Sequence, residues 1–523
     1  MKCEVDGCDN QAFQDLDECA LHCDKDCVHE DSINAVLSEF NRLLNFYILD
    51  DILSRYIPDS EDESYINEIV TYRKNNKCLY DSIIFKKKFS EYKIGFHDIL
   101  FPDISLINYT ETLSVFKNIW FKKCVFYVGY FNLKFTGVFF EECVFKYDLC
   151  IKPTALFLLK TDFVFYRCIF EHKIYIDSKG KDREVFEYGL FEECNFKAII
   201  SLSNAEFERE VFKFKPIPNI DTEVSEPTWL SSILINNVIF HDKCKFNYID
   251  IVNLVIKDTK FLSKLEVKES VISYFELNNS NVSEVFDSFD SRFIRFIFYK
   301  SIFTDFSGFE KVYFGLEDNF NDLYTARFIY TTFMSFSNFR STKFLSGLDF
   351  ENSNLKEQPN FLKADISSIN TNRETFRIVK KSFDDVGNQL EANKFFVEEM
   401  KAYKKELDDN GNKWDRLVYR ANEEVSDFGR SYIKPSALLF LSLIIYTSLL
   451  SIHESFFENY NYLLHPWVDY LSIQANEVAK NLLPFSKFLE KKSGIEFISL
   501  LFYIWFGILI WQIIVAVKRH TQR

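Results

Sequence analysis

The chain has 523 residues, 47% of them hydrophobic, which excludes a small stapled scaffold and supplies material for more than one core. Its formal charge of −15 is concentrated: residues 1–66 carry 4 Lys/Arg against 17 Asp/Glu, so the other 457 residues hold only −2. That acidic start argues against nucleic-acid binding there, because phosphates are drawn to Lys and Arg.

The opening stretch, MKCEVDGCDNQAFQDLDECALHC, is acidic and has no apolar run ahead of a cleavage site, so most of the chain is expected in the cytoplasm. Its 12 Cys are then expected as thiols or metal ligands rather than disulfides. Cys3, Cys8, Cys19, Cys23 and Cys27 crowd the first 30 residues, with His22 and His29 among them. The spacing Cys-x4-Cys-x10-Cys-x2-His offers four ligands to one tetrahedral Zn2+, and the preferred set is Cys3, Cys8, Cys19 and His22. Cys23 is the alternate for His22, while Cys27 and His29 stay open as ligands. A flexible, redox-sensitive tail is the competing reading. Residues 1–30 are too short and polar to build a core, so metal binding would supply most of their folding free energy. Four filled positions leave none for a catalytic water, so the expected role is structural.

Residues 31–110 read as a helical cap or linker, with Val36, Phe40, Leu43, Leu44 and Ile48 near helical spacing. A solenoid needs such an end, since an open terminal coil exposes strand edges and apolar rings.

From residue 111 the period changes. In FKNIWFKKCVFYVGYF, Phe116, Phe121, Phe126 and Phe131 stand five apart, which suits neither a helix nor an ordinary strand. A small residue sits two positions before the large one: Cys124 before Phe126, Cys143 before Phe145, Cys168 before Phe170, Cys194 before Phe196 and Cys244 before Phe246. Thr259, Ser301, Thr331, Ser337 and Thr342 take the same offset before later Phe residues. This pattern suits a four-sided coil with large rings at its centre and small side chains at its corners, and it explains these Cys as packing residues. The segment resembles the pentapeptide-repeat family. That resemblance implies a right-handed quadrilateral β-helix over 111–365, of roughly a dozen coils at about 4.8 Å each. Polar and Pro-containing breaks at 176–185 and 215–229 read as loops bulging from the solenoid.

Residues 366–430 form a helical linker with an apolar stripe interrupted by Gly387. Its second stretch, with Trp414, Leu417, Val418 and Ala421, either packs on its own protein or lies on a membrane surface. Residues 431–523 hold two candidate transmembrane helices, 435–452 and 497–517, joined by an extracytoplasmic connector. Arg430 and Lys434 before the first, and Lys518, Arg519 and Arg523 after the second, place both termini in the cytoplasm by the positive-inside tendency. Gln512 is a polar residue that helices could share in a homo-oligomer. VSDFGRSYIKP and IWQIIVAVKRH look like the membrane-proximal parts of a bacterial group that joins pentapeptide repeats to two C-terminal membrane helices, which implies the inner membrane as location.

The sequence has no phosphate loop, G-x-S-x-G elbow or H-E-x-x-H helix, and an enzyme is not expected. Three functions fit: a membrane-tethered scaffold or sensor for an unidentified cytoplasmic protein partner; an oligomeric effector, pore-forming or channel-like, in phage defence; and a DNA mimic protecting topoisomerases. The mimic is disfavoured by the near-neutral repeat region, and selective conduction by the lack of a TVGYG-like filter.

Overall fold

The small residue ahead of many of the rings is explained by the backbone beside it. Lys123, Glu142, Arg167 and Glu193 all have left-handed φ near +50°, and each immediately precedes a buried Cys. Further along, Asp258, Asn279 and Lys300 turn the same way before Thr259, Ser280 and Ser301. At such a corner the next side chain points into a crowded bend and has carbonyls within reach. The Cys143 thiol accordingly donates to Phe121 O (3.5 Å) and Glu141 O (3.4 Å), and the Ser270 hydroxyl to Phe246 O and Lys268 O (both 2.8 Å). Small and weakly polar is what the corner accepts.

In the computed structural model, which describes residues 1–14, 16–25, 30–56, 67, 70–71, 92–103, 109–130, 137–153, 155–156, 162–177, 182–214, 228–317, 321–410, 412–456 and 495–521, these corners join short strands into a parallel β-solenoid of about 11 turns. Where the coil is regular, each turn takes 21 residues: Asp250 pairs with Val271, and Val271 with Arg292. Early coils vary, with 25 residues from Val144 to Ile169 and 26 from Ile169 to Asn195, and two steps are longer still. Ile200 pairs with Ile233, enclosing the expected 215–229 break, of which 215–227 lie outside the described residues. Ile297 pairs with Arg327, which makes room for a loop carrying a short 3-10 turn at Asp322–Tyr324 that the five-residue period does not mark. Of the 176–185 break, 178–181 lie outside the described residues.

Ring stacking runs along the core. Phe101, Phe126, Phe145, Phe170 and Phe196 form one ladder with centroids 4.9–5.3 Å apart and nearly parallel planes. Phe96, Phe121, Phe140, Phe165, Phe191 and Phe212 form a second. The two meet edge-on, as Phe121 and Phe126 do at 5.2 Å and 85°. Two successive five-residue positions in each coil therefore feed separate ladders, and the strand spacing of a sheet brings successive rings to stacking distance. Phe131, the last of the four evenly spaced rings, lies outside the described residues.

Parallel pairing begins at Lys93–His97, ahead of the expected residue 111, and continues to Asp365–Ile366. Helix α1 (Glu30–Tyr56) covers the first coil: Val36, Phe40, Leu43, Leu44 and Ile48 are all buried, and the Phe40 ring meets Phe101 edge-on at 5.9 Å.

Residues 1–370 form one compact unit and 371–523 a second. After a single turn α2 (Thr110–Leu113) within the solenoid, the second unit contains α3 (Arg373–Asp385), α4 (Gln389–Asn410), α5 (Lys413–Ser426), α6 (Ile433–Phe456) and α7 (Glu496–Thr521). Gly387, at φ +75°, separates α3 from α4, whose Phe383 and Phe395 rings stack at 5.6 Å. Helices α6 and α7 are each long and apolar enough to cross a membrane. They meet through Tyr446 on Phe502 at 4.9 Å and through Trp505 Nε1 donating to Ser442 Oγ at 3.0 Å. Residues 457–494 of the connector expected between them lie outside the described residues.

Candidate metal centre

Two short pieces of backbone bring the N-terminal ligands together. Lys2 and Gln11 form an antiparallel bridge, with Cys3 N donating to Asn10 O at 3.0 Å, so Cys3 and Cys8 sit on either side of one tight loop. The second piece is a helical turn, closed by His22 N and Cys23 N on Cys19 O (both 2.9 Å), which presents Cys19 and His22 on one side. Leu100 N donates to Leu21 O at 2.8 Å and Tyr127 OH to Asp24 at 2.6 Å, fastening this knuckle to the first coils.

Cys3 Sγ, Cys8 Sγ, Cys19 Sγ and His22 Nδ1 all lie within 4.8 Å of one another. Cys8 and Cys19 sulfurs are 3.8 Å apart, and His22 Nδ1 is 3.4 Å from both Cys3 and Cys19. Metal–sulfur bonds of ~2.3 Å and a metal–nitrogen bond of ~2.0 Å in a tetrahedron require sulfur–sulfur edges of about 3.8 Å and sulfur–nitrogen edges of about 3.5 Å. The group therefore has the dimensions needed to hold a metal ion. It includes His22 rather than Cys23, whose side chain is also buried; Cys27 and His29 lie outside the described residues.

Burial controls the chemistry of the ligands. It pushes the Cys19 thiol up to about 12, with the nearby Cys8 and Cys3 adding to the rise, and it lowers His22 below the usual imidazole range. His22 is thus held neutral with a lone pair to give, whereas near neutral pH Cys19 gives up its proton to a cation that replaces it. Donors already face the sulfurs: Cys19 N to Cys3 Sγ at 3.3 Å and Asn10 Nδ2 to Cys8 Sγ at 3.5 Å. Such contacts stabilise thiolates and orient them.

Asn10 and Lys25 are the residues that ligand spacing alone does not reveal. Lys25 is buried, donates to Ala20 O (2.7 Å) and Cys23 O (2.8 Å), and lies 5.2 Å from the centre of the Phe40 ring; desolvation brings its ammonium down to about 8. It closes the carbonyl end of the turn that carries Cys19 and His22. Its signal in the sequence is only a lysine just after the last ligand.

Gln512 faces inward within its own unit, with Nε2 3.5 Å from Asn422 Oδ1 on α5. The repeat-region thiols Cys124, Cys143 and Cys168 are buried at corners and Cys244 in a strand, and all four are held well above the usual thiol range, first by desolvation. They are packing groups rather than ligands. No protein-family model, curated protein or solved structure matches this chain.

Proposed function

We propose that this protein is a membrane-tethered scaffold of the pentapeptide-repeat kind, whose solenoid offers an extended surface to a cytoplasmic protein partner and whose N-terminal knuckle is built around a structural Zn2+. The observation that carries the reading is the outward surface of α6 and α7. Only 11% and 17% of the residues in their apolar spans are buried, and Phe440, Leu441, Trp511 and Ile514 are among those left exposed. A core helix of a soluble domain buries such residues, and a bilayer is the solvent that suits them. Arg430 and Lys434 on one side and Lys518 and Arg519 on the other support cytoplasmic termini at a bacterial inner membrane.

The solenoid's outward charges support a protein partner over DNA mimicry. Lys122 meets Glu141 at 3.1 Å, Lys146 meets Glu171 at 2.9 Å, and Lys268 meets Asp287 at 2.8 Å, each pair across adjacent coils. Carboxylates neutralised in this way do not reproduce a phosphate backbone. Gln512, engaged with Asn422, gives no support to an oligomeric pore. For the metal, three sulfurs and one nitrogen at tetrahedral spacing suit Zn2+, which needs no redox partner and leaves no open position here.

The test compares the full chain with one ending at Asn370, the last residue of the first unit. The full chain should stay in the membrane fraction through carbonate washing and leave a voltage-sensitive dye unchanged on induction; the shorter chain should be soluble. Depolarisation by the full chain would replace the scaffold with an effector.

A further inference from the structure

Helix α5 packs the wrong way round for a helix in water. Its inward face is polar: the Tyr419 ring meets Tyr403 at 5.0 Å, Asn422 accepts from Gln512, Glu423 pairs with Lys404 at 2.5 Å, and Ser426 is fully buried. Its outward face is apolar. Trp414 is 73% exposed, Leu417 60% and Val418 64%, and with Ala421 they recur at the i, i+3, i+4, i+7 spacing of a single stripe. A water-facing helix of a folded unit carries the opposite distribution.

Lys413, Arg416 and Arg420 run along one shoulder of this stripe, where they line a shallow cleft with Leu417, Ala421 and Glu424. Arg420 also lies 3.6 Å from Asp408, a pair exposed enough to be weak. The position of α5 is equally restrictive. Asp427, Phe428 and Gly429 are all left-handed, a tight reversal that starts α6 at Ile433. At the other side, Asn422 is tied to Gln512 inside the second apolar span. The stripe is thus fixed beside the ends of both spans, where the basic residues gather.

We infer that α5 is an interfacial helix that seats its Trp414–Leu417–Val418–Ala421 stripe on an anionic lipid surface, with Lys413, Arg416 and Arg420 at headgroup level. This rests on the membrane-tethered reading above. The charges favour lipid over an antiparallel second copy: such a two-fold contact through the stripe brings one basic shoulder toward its equivalent, whereas an anionic leaflet complements it.

The test uses the full chain in nanodiscs of phosphatidylcholine alone or with phosphatidylglycerol, with bromine on the acyl chains of the quenching lipid. The Trp414 signal is the difference between wild type and Trp414→Phe. Bromolipid should quench it, and phosphatidylglycerol should slow amide exchange over 413–426 by about fivefold for each basic residue engaged. The triple change Lys413→Gln, Arg416→Gln, Arg420→Gln should erase the phosphatidylglycerol effect, and Leu417→Glu with Val418→Glu should erase the quenching. A Trp414 signal that bromolipid leaves intact overturns the inference. Protection that follows the number of chains per disc rather than the lipid also overturns it, by assigning the stripe to a second copy. Carbonate-resistant retention of the same variants separates the two levels: retention without quenching defeats the α5 assignment alone, and loss of retention by wild type defeats the tether with it.

Discussion

Cys19 is where the metal proposal meets the strictest demand, because its thiol is buried beside two other thiols and an imidazole. Two pH responses of opposite sign follow. In the metal-free protein the folded state favours the thiol, so its contribution is fully present below the usual value of 9.0 and is lost as pH rises toward about 12. In the loaded protein the sulfurs are already thiolates, so protons compete as pH falls, with each of the three Cys able to take one back. Zinc release into a chelating dye should therefore increase as the solution is acidified, while the loaded protein should resist the alkaline loosening of the metal-free one. Cys3→Ser or Cys8→Ser should abolish stoichiometric zinc. Asn10→Ala, which removes a sulfur-facing donor but no ligand, should weaken affinity about 10- to 100-fold. Zinc content unchanged by Cys8→Ser would remove Zn2+ from the proposal.

Among the elements, the turn that joins α5 to α6 is braced against α7 by the Arg519 side chain. The Arg519 guanidinium donates to Phe428 O in the left-handed turn and lies 4.7 Å from the centre of the Phe396 ring, and its own carbonyl accepts from Asn393 Nδ2 at 3.2 Å. Gly429 belongs to the same joint: its φ is +77°, and a Cβ there would come within 3.1 Å of the guanidinium. Arg519→Ala should loosen the joint by about 2 kcal/mol, the scale of a charged hydrogen bond plus a cation–π contact. Arg519→Lys should recover only a fraction of this, since an ammonium lacks the planar fork. Faster amide exchange over 426–432, with the solenoid unchanged, is the expected signature; unchanged exchange there would mean that the helices hold the turn without it.

For the whole molecule, the 21-residue step means that coils in the regular stretch are interchangeable in register. Deleting residues 250–270 removes one full turn and joins Ile249 to Val271, the residue that now pairs with Asp250. Such a deletion should leave a cooperative β-solenoid with stability reduced by about one coil interface, whereas deleting about seven residues from the same place breaks the five-residue phase and should strand large rings at corners and collapse the local order. Circular dichroism and thermal unfolding of the two shortened chains distinguish these outcomes. Similar damage from both deletions would show that the coils are not modular.

The solenoid was legible because each side of the coil repeats the same demand, a small corner residue and then a large central one, and a five-residue period records it. Its first coil was not, since Ile99 stands where Cys124 stands one turn on, and an end coil has no earlier coil crowding its corner. The long step from Ile297 to Arg327 hid between regular ring pairs, marked in the sequence only by an Asp/Asn-rich run. For the knuckle, ligand types and their spacing were readable in the order of the chain. The set with His22 was already preferred from the spacing, and the helical turn, which sets neighbouring side chains about 100° apart, is what groups His22 rather than Cys23 with the other three. The two helices long and apolar enough to cross a membrane followed from uninterrupted apolar length alone. That α5 turns its polar face inward and its apolar face outward was decided only by tertiary packing: periodicity shows that a helix has two faces, and the neighbours of each determine which one meets solvent.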